Sequence, residues 1–536
     1  MKQAARAPRP LDAVNERLAL AAMRVSTLTG ARRLLAAFLS GAGAALAFAP
    51  LYLLPLLAVG LSVFVLLIDG AARRPKPRRA AFAAGWFFGF GYFLVSLYWL
   101  GFSFLVQAEQ FAWMAPFAVT GLPAFLGLFT GSAAAVAVSI WRQGPRRVLT
   151  FSGVYMTFEY ARGHVLTGLP WNLPGQALAG TAVGAQTAAW WGVYGLSLIV
   201  VMLAAAPALA RDRAGVQGLL AMLLGTGVLY VLGAFRLAGP DPGFREDVSI
   251  RIVQPNIPQR EKIDGDLWTR NLKLHLDLST GEAAGAARLY ILWPENAAPY
   301  LQEYGEALDL LDRAVPANAM VLAGTVRRET GPGGEKYYNS IGFFAARGGR
   351  LSAVGYYDKH HLAPFGEYLP LQGALRAIGL AQLAPYEDGF AFGKGPMTFD
   401  DGATRFAPFI CYETIFPGAL YPRRQRPDWL ATATNDAWFG DSSGPRQHLD
   451  QARLRAIETG LPMARSANTG VSALFDARGR LLQSVPLYKA GRIDAALPGA
   501  LPPTIYARYG DLLFLMLAIG AFVLAALPSK RARTTN

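Results

Sequence analysis

The sequence predicts a polytopic α-helical membrane domain joined to a soluble α/β domain. Three observations carry this reading. Apolar runs long enough to cross a bilayer fill the first 237 residues and recur near the end. After Phe235 the texture changes to short β-branched and apolar runs alternating with polar, helix-like stretches. Basic residues gather at every second junction between the apolar runs. Across 536 residues, 53% are hydrophobic and 16% charged, against about 25% charge in ordinary soluble domains.

The apolar runs are Leu34–Pro50, Leu51–Ile68, Ala80–Leu100, Phe111–Ile140, Val148–Ala161, Ala185–Ala210, Val216–Phe235 and Leu512–Leu527. A helix needs roughly 20 residues to span, so about eight spans are expected. The first two are parted only by Pro50, and the second follows too closely for the first to be a cleaved signal peptide. Arg32 and Arg33 precede the first run. Arg73, Arg74, Lys76, Arg78 and Arg79 follow the second, and Arg142, Arg146 and Arg147 the fourth. Arg211 and Arg213 follow the sixth, and Lys530, Arg531 and Arg533 the last. The intervening junctions lack such clusters. By the positive-inside rule both termini are expected in the cytoplasm and the segment between the last two spans on the opposite face. The net charge of +15 is thereby spent largely on topology, and no nucleic-acid partner is expected. In the third run, "GWFFGFGYFLVSLYWLG" supplies glycines for close helix packing. Glu159 and Arg162, one turn apart in an apolar run, are candidates for function or for a structural pair that snorkels.

The domains are expected at 1–237 (membrane), 238–508 (soluble) and 509–536 (last span and tail). "GPDPG", Gly239–Gly243, is the linker. "VSIRIVQ", "LYILWPE", "AMVLAGTV", "NSIGFFA", "AVGYYDK", "RFAPFICYE" and "WLATATND" read as strands, and "ALFDARGRLL" as a hairpin. Leu267–Leu278 and Gln447–Glu458 have helical periodicity. One cysteine, Cys411, rules out an internal disulfide. Five histidines without ligand spacing and no cysteine cluster predict no metal site and no cofactor.

Three strands finish in a reactive residue: Glu295, Lys359 and Cys411. Sites in open α/β sheets form at strand ends. A carboxylate can accept a thiol proton, an ammonium can stabilise thiolate and oxyanion, and a thiolate can attack an acyl carbon. Taken singly, each also reads as ordinary: a surface acid, a solvated lysine, a core cysteine.

The segment resembles the nitrilase superfamily, whose members use a Glu–Lys–Cys triad on an αββα sandwich. The whole chain resembles the bacterial apolipoprotein N-acyltransferases, through "TGLPW" (Thr167–Trp171), "QPNIPQ" (Gln254–Gln259), "WPEN" (Trp293–Asn296), "YNS" (Tyr338–Ser340), "DKHHLAPFGEYLP" (Asp358–Pro370), "ICYE" (Ile410–Glu413) and "TNDAWFG" (Thr434–Gly440). The resemblance implies Glu295 as base, Lys359 as oxyanion and thiolate stabiliser and Cys411 as nucleophile. Glu367, Tyr412 and Glu413 are then supporting residues. Asn339, Trp438 and Phe439 are candidates for substrate binding, the last two as an apolar gate or as core. Leu371–Tyr386 is amphipathic, a lid at the outer leaflet or a surface helix. The implied reaction moves an acyl chain from a phospholipid, typically phosphatidylethanolamine, through a Cys411 thioester to the α-amino group of the N-terminal diacylglyceryl-cysteine of an apolipoprotein. The implied location is the bacterial inner membrane with a periplasmic catalytic domain. The alternatives are a membrane-tethered amidohydrolase using the same triad, and a transporter or scaffold with a decayed domain.

Overall fold

A computed structural model describes residues 10–282, 286–332, 334–370, 389–418 and 420–527. The stretch Leu371–Tyr386 and the basic tail after the last span lie outside the described residues.

Among the described residues, nine long helices build the membrane domain: α1 (Pro10–Ser26), α2 (Gly30–Ala45), α3 (Leu54–Ala71), α4 (Pro77–Ser96), α5 (Ala115–Ser139), α6 (Pro145–Arg162), α7 (Ala188–Ala205), α8 (Gly215–Leu237) and, after the soluble segment, Leu512–Ala526. Eight coincide with the expected runs; α1 was not among them. Among the described residues, four helical stretches are long and apolar enough to cross a membrane by themselves. A fifth results if α4 and Tyr98–Leu105, bent by 48°, count together. The expected eight is therefore not reached on length and apolarity. The shortfall has simple causes: α2 has 16 residues, the last helix 15, and α6 carries Arg146, Arg147, Glu159 and Arg162. The glycines of α4 do permit close packing. A Cβ on Gly85 would stand 2.6 Å from the Thr130 carbonyl oxygen of α5, and one on Gly91 2.3 Å from the Phe38 carbonyl oxygen of α2. Glu159 and Arg162 pair with each other, both buried, at 2.5 Å.

The soluble domain is a sandwich of two six-stranded sheets. The first contains β1 (Phe244–Gln254), β2 (Arg288–Leu292), β3 (Ala319–Gly331), β4 (Gly334–Arg347) and β5 (Arg350–Asp358). The second contains β6 (Phe399–Asp400), β7 (Arg405–Ile410), β8 (Trp429–Thr434), β9 (Met463–Ala467), β10 (Ser472–Phe475) and β11 (Leu481–Val485). The last strand, β12 (Gly491–Pro498), returns to the first sheet. Their orders are β12-β1-β2-β3-β4-β5 and β11-β10-β9-β8-β7-β6. Strands β1–β2–β3 and β7–β8–β9 are parallel and the outer pairings antiparallel. Parallel neighbours require crossovers. Helices α9 (Trp268–Ser279) and α10 (Gly305–Ala314) supply two on one outer face, and α11 (Ser443–Thr459) one on the other. Hence β2 is apolar on both faces: Tyr290 and Leu292 enter the inter-sheet core, Leu289 and Ile291 the core beneath α9 and α10.

Alternation in "VSIRIVQ" suggests an exposed Arg251, yet it is 1% exposed. Its guanidinium donates to the Ser279, Thr280 and Gly281 carbonyls, each at 2.8 Å, where α9 ends, and pairs with Asp494. The orphan carbonyls at a helix end recruit it. The expected hairpin forms as β10 and β11 around Asp476–Arg480.

Candidate active site

Sheet geometry brings the three strand ends together. Glu295 follows β2, Lys359 follows β5, and Cys411 follows β7 in the facing sheet. All are buried, at 7%, 2% and 9% exposure. The Lys359 ammonium donates to Glu295 Oε1 at 3.3 Å and to Glu367 Oε1 at 3.0 Å. Asn339, on β4, donates from Nδ2 to the same two oxygens at 2.8 and 2.6 Å. Glu367 is anchored in turn by the Ala363 N–H at 2.7 Å. One buried ammonium thus faces two buried carboxylates. Burial alone would push Lys359 down, but Glu367 and Glu295 outweigh it and raise its pKa. It remains a cation throughout the neutral range. Burial also raises Glu367, against the pull of Lys359.

Cys411 sits at φ +48°, in the left-handed region where a non-glycine residue costs of order 1–3 kcal/mol. The turn that imposes this conformation is firmly held. Glu413 Oε2 accepts from the Ile410 N–H at 2.8 Å and the Tyr357 hydroxyl at 2.7 Å. Its Oε1 accepts from the N–H groups of His360 and His361 at 2.9 and 3.2 Å. Glu413 therefore ties the strand end bearing Cys411 to the one bearing Lys359. Although burial works the other way, His360, Lys359 and the Ile410 N–H keep its carboxyl below the usual range. Tyr412 donates to the Gly168 carbonyl at 2.9 Å, and His361 Nε2 lies 2.6 Å from the Thr167 carbonyl. Both partners belong to "TGLPW", so the membrane domain closes directly on the residue beside the nucleophile.

Burial raises the Cys411 thiol well above its ordinary pKa, and Glu295 and Asp436 add to this. Lys359 and the Asn435 backbone N–H oppose them. The resting group is a thiol that ionises only as a base takes its proton.

Several residues around the site were not anticipated. Lys262 donates to the Glu295 carbonyl oxygen. Burial brings its pKa down to about 8, against the attraction of Glu295 and Cys411. His448, on α11, stands 3.1 Å from the Cys411 carbonyl through Nε2 and 2.7 Å from Asp436 Oδ1 through Nδ1. Arg465 donates to Asp436 Oδ2 at 2.7 Å. Donor atoms of Cys411, Asp436 and His448 lie within 4.8 Å of one another, the one such metal-compatible group among the described residues. Hydrogen bonds to Arg465, Thr414 and each other already engage Asp436 and His448. Asn435 donates to Gln259 at 2.7 Å and accepts from Asn468 at 3.2 Å. This amide chain fixes the backbone N–H that faces the sulfur. The signal was legible in part, since Lys262 lies three residues beyond "QPNIPQ" and Asn435 and Asp436 lie in "TNDAWFG". His448 carried none.

Trp438 and Phe439 follow Asp436 in sequence, and the Phe439 ring lies 6.4 Å from that of His448. The Phe439 ring packs on Trp99 at 4.4 Å and lies 6.5 Å from Trp171, both of the membrane domain. The Trp438 carbonyl accepts from Ser103 at 3.0 Å, and the residue is 37% exposed. Both dock the sandwich on the membrane domain.

A buried acid, ammonium and thiol on facing strand ends define the class, a carbon–nitrogen hydrolase-type site. The sequence comparisons agree. Residues 249–501 match the carbon-nitrogen hydrolase model and residues 40–206 the apolipoprotein N-acyltransferase N-terminal domain. The apolipoprotein N-acyltransferase of Rhodopseudomonas palustris is 41% identical over 505 residues, 90% of this chain and 92% of that protein. That of Bradyrhizobium diazoefficiens is 40% identical over 532 residues, 95% and 97% of the two chains. A solved CN-hydrolase superfamily protein from Xanthomonas campestris, with an arsenic adduct in its active site, aligns at a TM-score of 0.30 and 17% identity, covering 53% of this chain and 98% of that one. The chain belongs to the apolipoprotein N-acyltransferase family.

Proposed function

We propose that this membrane protein N-acylates apolipoproteins, with Glu295, Lys359 and Cys411 as its catalytic residues and a phospholipid as donor. N-acylation of apolipoproteins is the activity for which the family is named. The observation that carries the chemical assignment is the Lys359 ammonium bridging two buried carboxylates beside the Cys411 turn.

In the first half-reaction Glu295 accepts the Cys411 proton as sulfur attacks the ester carbonyl carbon of the donor. Lys359 stabilises the oxyanion. The ester C–O bond breaks, and Glu295 returns the proton to the departing glyceryl oxygen. A lysophospholipid leaves and a thioester remains. In the second, the acceptor α-amino nitrogen attacks the thioester carbon and gives one proton to Glu295. The C–S bond breaks, sulfur recovers that proton, and an amide is formed. Glu367 and Asn339 hold the ammonium and the base in place. Tyr412 and Glu413 position the nucleophile turn.

Phosphatidylethanolamine is the donor proposed, on the family resemblance; embedding suits donor and acceptor alike, both lipids held in one bilayer by about 0.8 kcal/mol per buried CH₂. Charge patterning supports an inner-membrane location with both termini cytoplasmic and the sandwich periplasmic. It also supports domains at 1–237, 238–508 and 509–536, and the short helices count among about eight spans. Labelled phospholipid incubated with an N-terminal diacylglyceryl peptide tests the reading. Label on the peptide amine is expected. Label released only as free fatty acid would mark a hydrolase instead.

A further inference from the structure

A groove of about 500 Å³ lies far from the triad, lined by Gly30, Arg33, Arg74, Lys76, Arg79 and Ala80 among others. It opens where α2 and α4 begin. The far ends of those helices meet the sandwich: the Ala49 carbonyl accepts from Gln447, and Trp99 packs on Phe439. At 1.5 Å per residue, α2 and α4 separate groove and sandwich by about 24–30 Å, close to one hydrocarbon thickness.

Four cations surround this groove, and among the described residues none is paired with a carboxylate. By contrast, Arg147 is held by both Asp69 and Asp212. Arg33 is 7% exposed; it donates to the Ala80 carbonyl, and its buried Nε has no hydrogen-bond partner. A buried guanidinium N–H left unpaired is costly. The N-termini of α2 and α4 converge here too, neither capped by a side chain. The first-turn N–H groups of α2, those of α4 after Pro77, and the positive dipole ends of both favour an anion. Gly30, at φ +53°, has open space where a side chain would stand, so a ligand can approach the backbone. Toward the sandwich, α2 exposes Leu35 and Leu39, both at 57%, and α4 exposes Phe82 at 36%. These suit acyl chains.

We propose that the groove binds the phosphodiester headgroup of an acidic phospholipid in the leaflet opposite the catalytic sandwich. Arg33 contributes from the floor, and Arg74, Lys76 and Arg79 from the rim. The shared chemistry is a phosphate oxyanion on guanidinium groups and helix N-termini; the chains along Leu35, Leu39 and Phe82 distinguish a lipid from free phosphate.

The test uses the detergent-purified full chain with Cys411→Ala, which blocks turnover, and follows thermal unfolding. Probes are dihexanoyl phosphatidylglycerol, dihexanoyl phosphatidylcholine and inorganic phosphate. Phosphatidylglycerol is expected to raise Tm by about 2 °C or more, phosphatidylcholine and phosphate by much less. Exposed Lys76→Glu with Arg79→Glu should abolish the shift. Should that pair not fold, the shift must instead vanish between about 0.05 and about 0.5 M NaCl, where charge attraction is screened. No shift, an equal shift with the zwitterionic lipid or in the charge-reversed protein, or a salt-independent one would overturn the assignment. A shift matched by inorganic phosphate would identify a free-phosphate site and overturn the lipid.

Discussion

Burial holds the Cys411 proton on sulfur, so ionisation must be coupled to a base and a cation in the same enclosure. Glu295→Gln keeps the shape and removes the base, and acyl-adduct formation should fall by about 10²–10⁴-fold. Lys359→Ala removes an oxyanion donor worth about 3–4 kcal/mol and leaves Glu295 and Glu367 facing each other unneutralised. Rapid-quench mass spectrometry of the adduct measures both. Lys262 adds a pH signature. It is charged below about 8 and neutral above, so its support of charge at Glu295 and Cys411 should fade as pH rises through that value. An alkaline decline with a midpoint near 8 is expected in the wild type and should vanish in Lys262→Met; its persistence would assign that limb to another group. The three principal residues were legible because each ends an apolar strand. Lys262 and Asp436 were legible only through the motifs beside or around them, and His448 not at all, because their roles arise from contacts between separate segments.

Among the elements, α11 does most to join the two domains. It carries Gln447, which accepts from Trp171 at 2.7 Å, and Asp450, which accepts from Tyr52 at 2.7 Å. It also carries Glu458, which accepts from the Val193 N–H at 2.8 Å, next to the non-helical Gly192 of α7. Burial raises Glu458 from 4.5 to about 7. A raised carboxyl gives stability that is fully present below its unfolded pKa and lost as pH rises through its folded one. Wild type should therefore lose up to about 3 kcal/mol relative to Glu458→Gln between pH 4.5 and 7. Parallel thermal melts of the two proteins would reveal this, and parallel curves would refute it. Periodicity located α11 but not its partners. A helix buried on two sides by different domains shows only a blurred polar face in sequence, and Arg455 and Glu458 on it are both fully buried.

For the whole molecule, hydropathy marked the membrane helices better than their ability to span. Runs read as single spans contain breaks, at the bend after α4 and at Gly192 in α7, that composition does not display. The sidedness proposed from charge is open to direct test. With Cys411→Ser the chain is cysteine-free; a cysteine at Gly265, in the sandwich, should react with a membrane-impermeant maleimide in intact cells, and one at Gly144 should not. The reverse pattern would invert the topology. The central claim is that an acyl chain rides on Cys411 between two lipid hosts. Its most direct test is intact-mass and peptide mass spectrometry of the full chain after exposure to phosphatidylethanolamine without acceptor. The account predicts one acyl chain on the Cys411 peptide, discharged when a diacylglyceryl peptide is added. An unmodified Cys411, or an adduct that the peptide amine cannot remove, would contradict it.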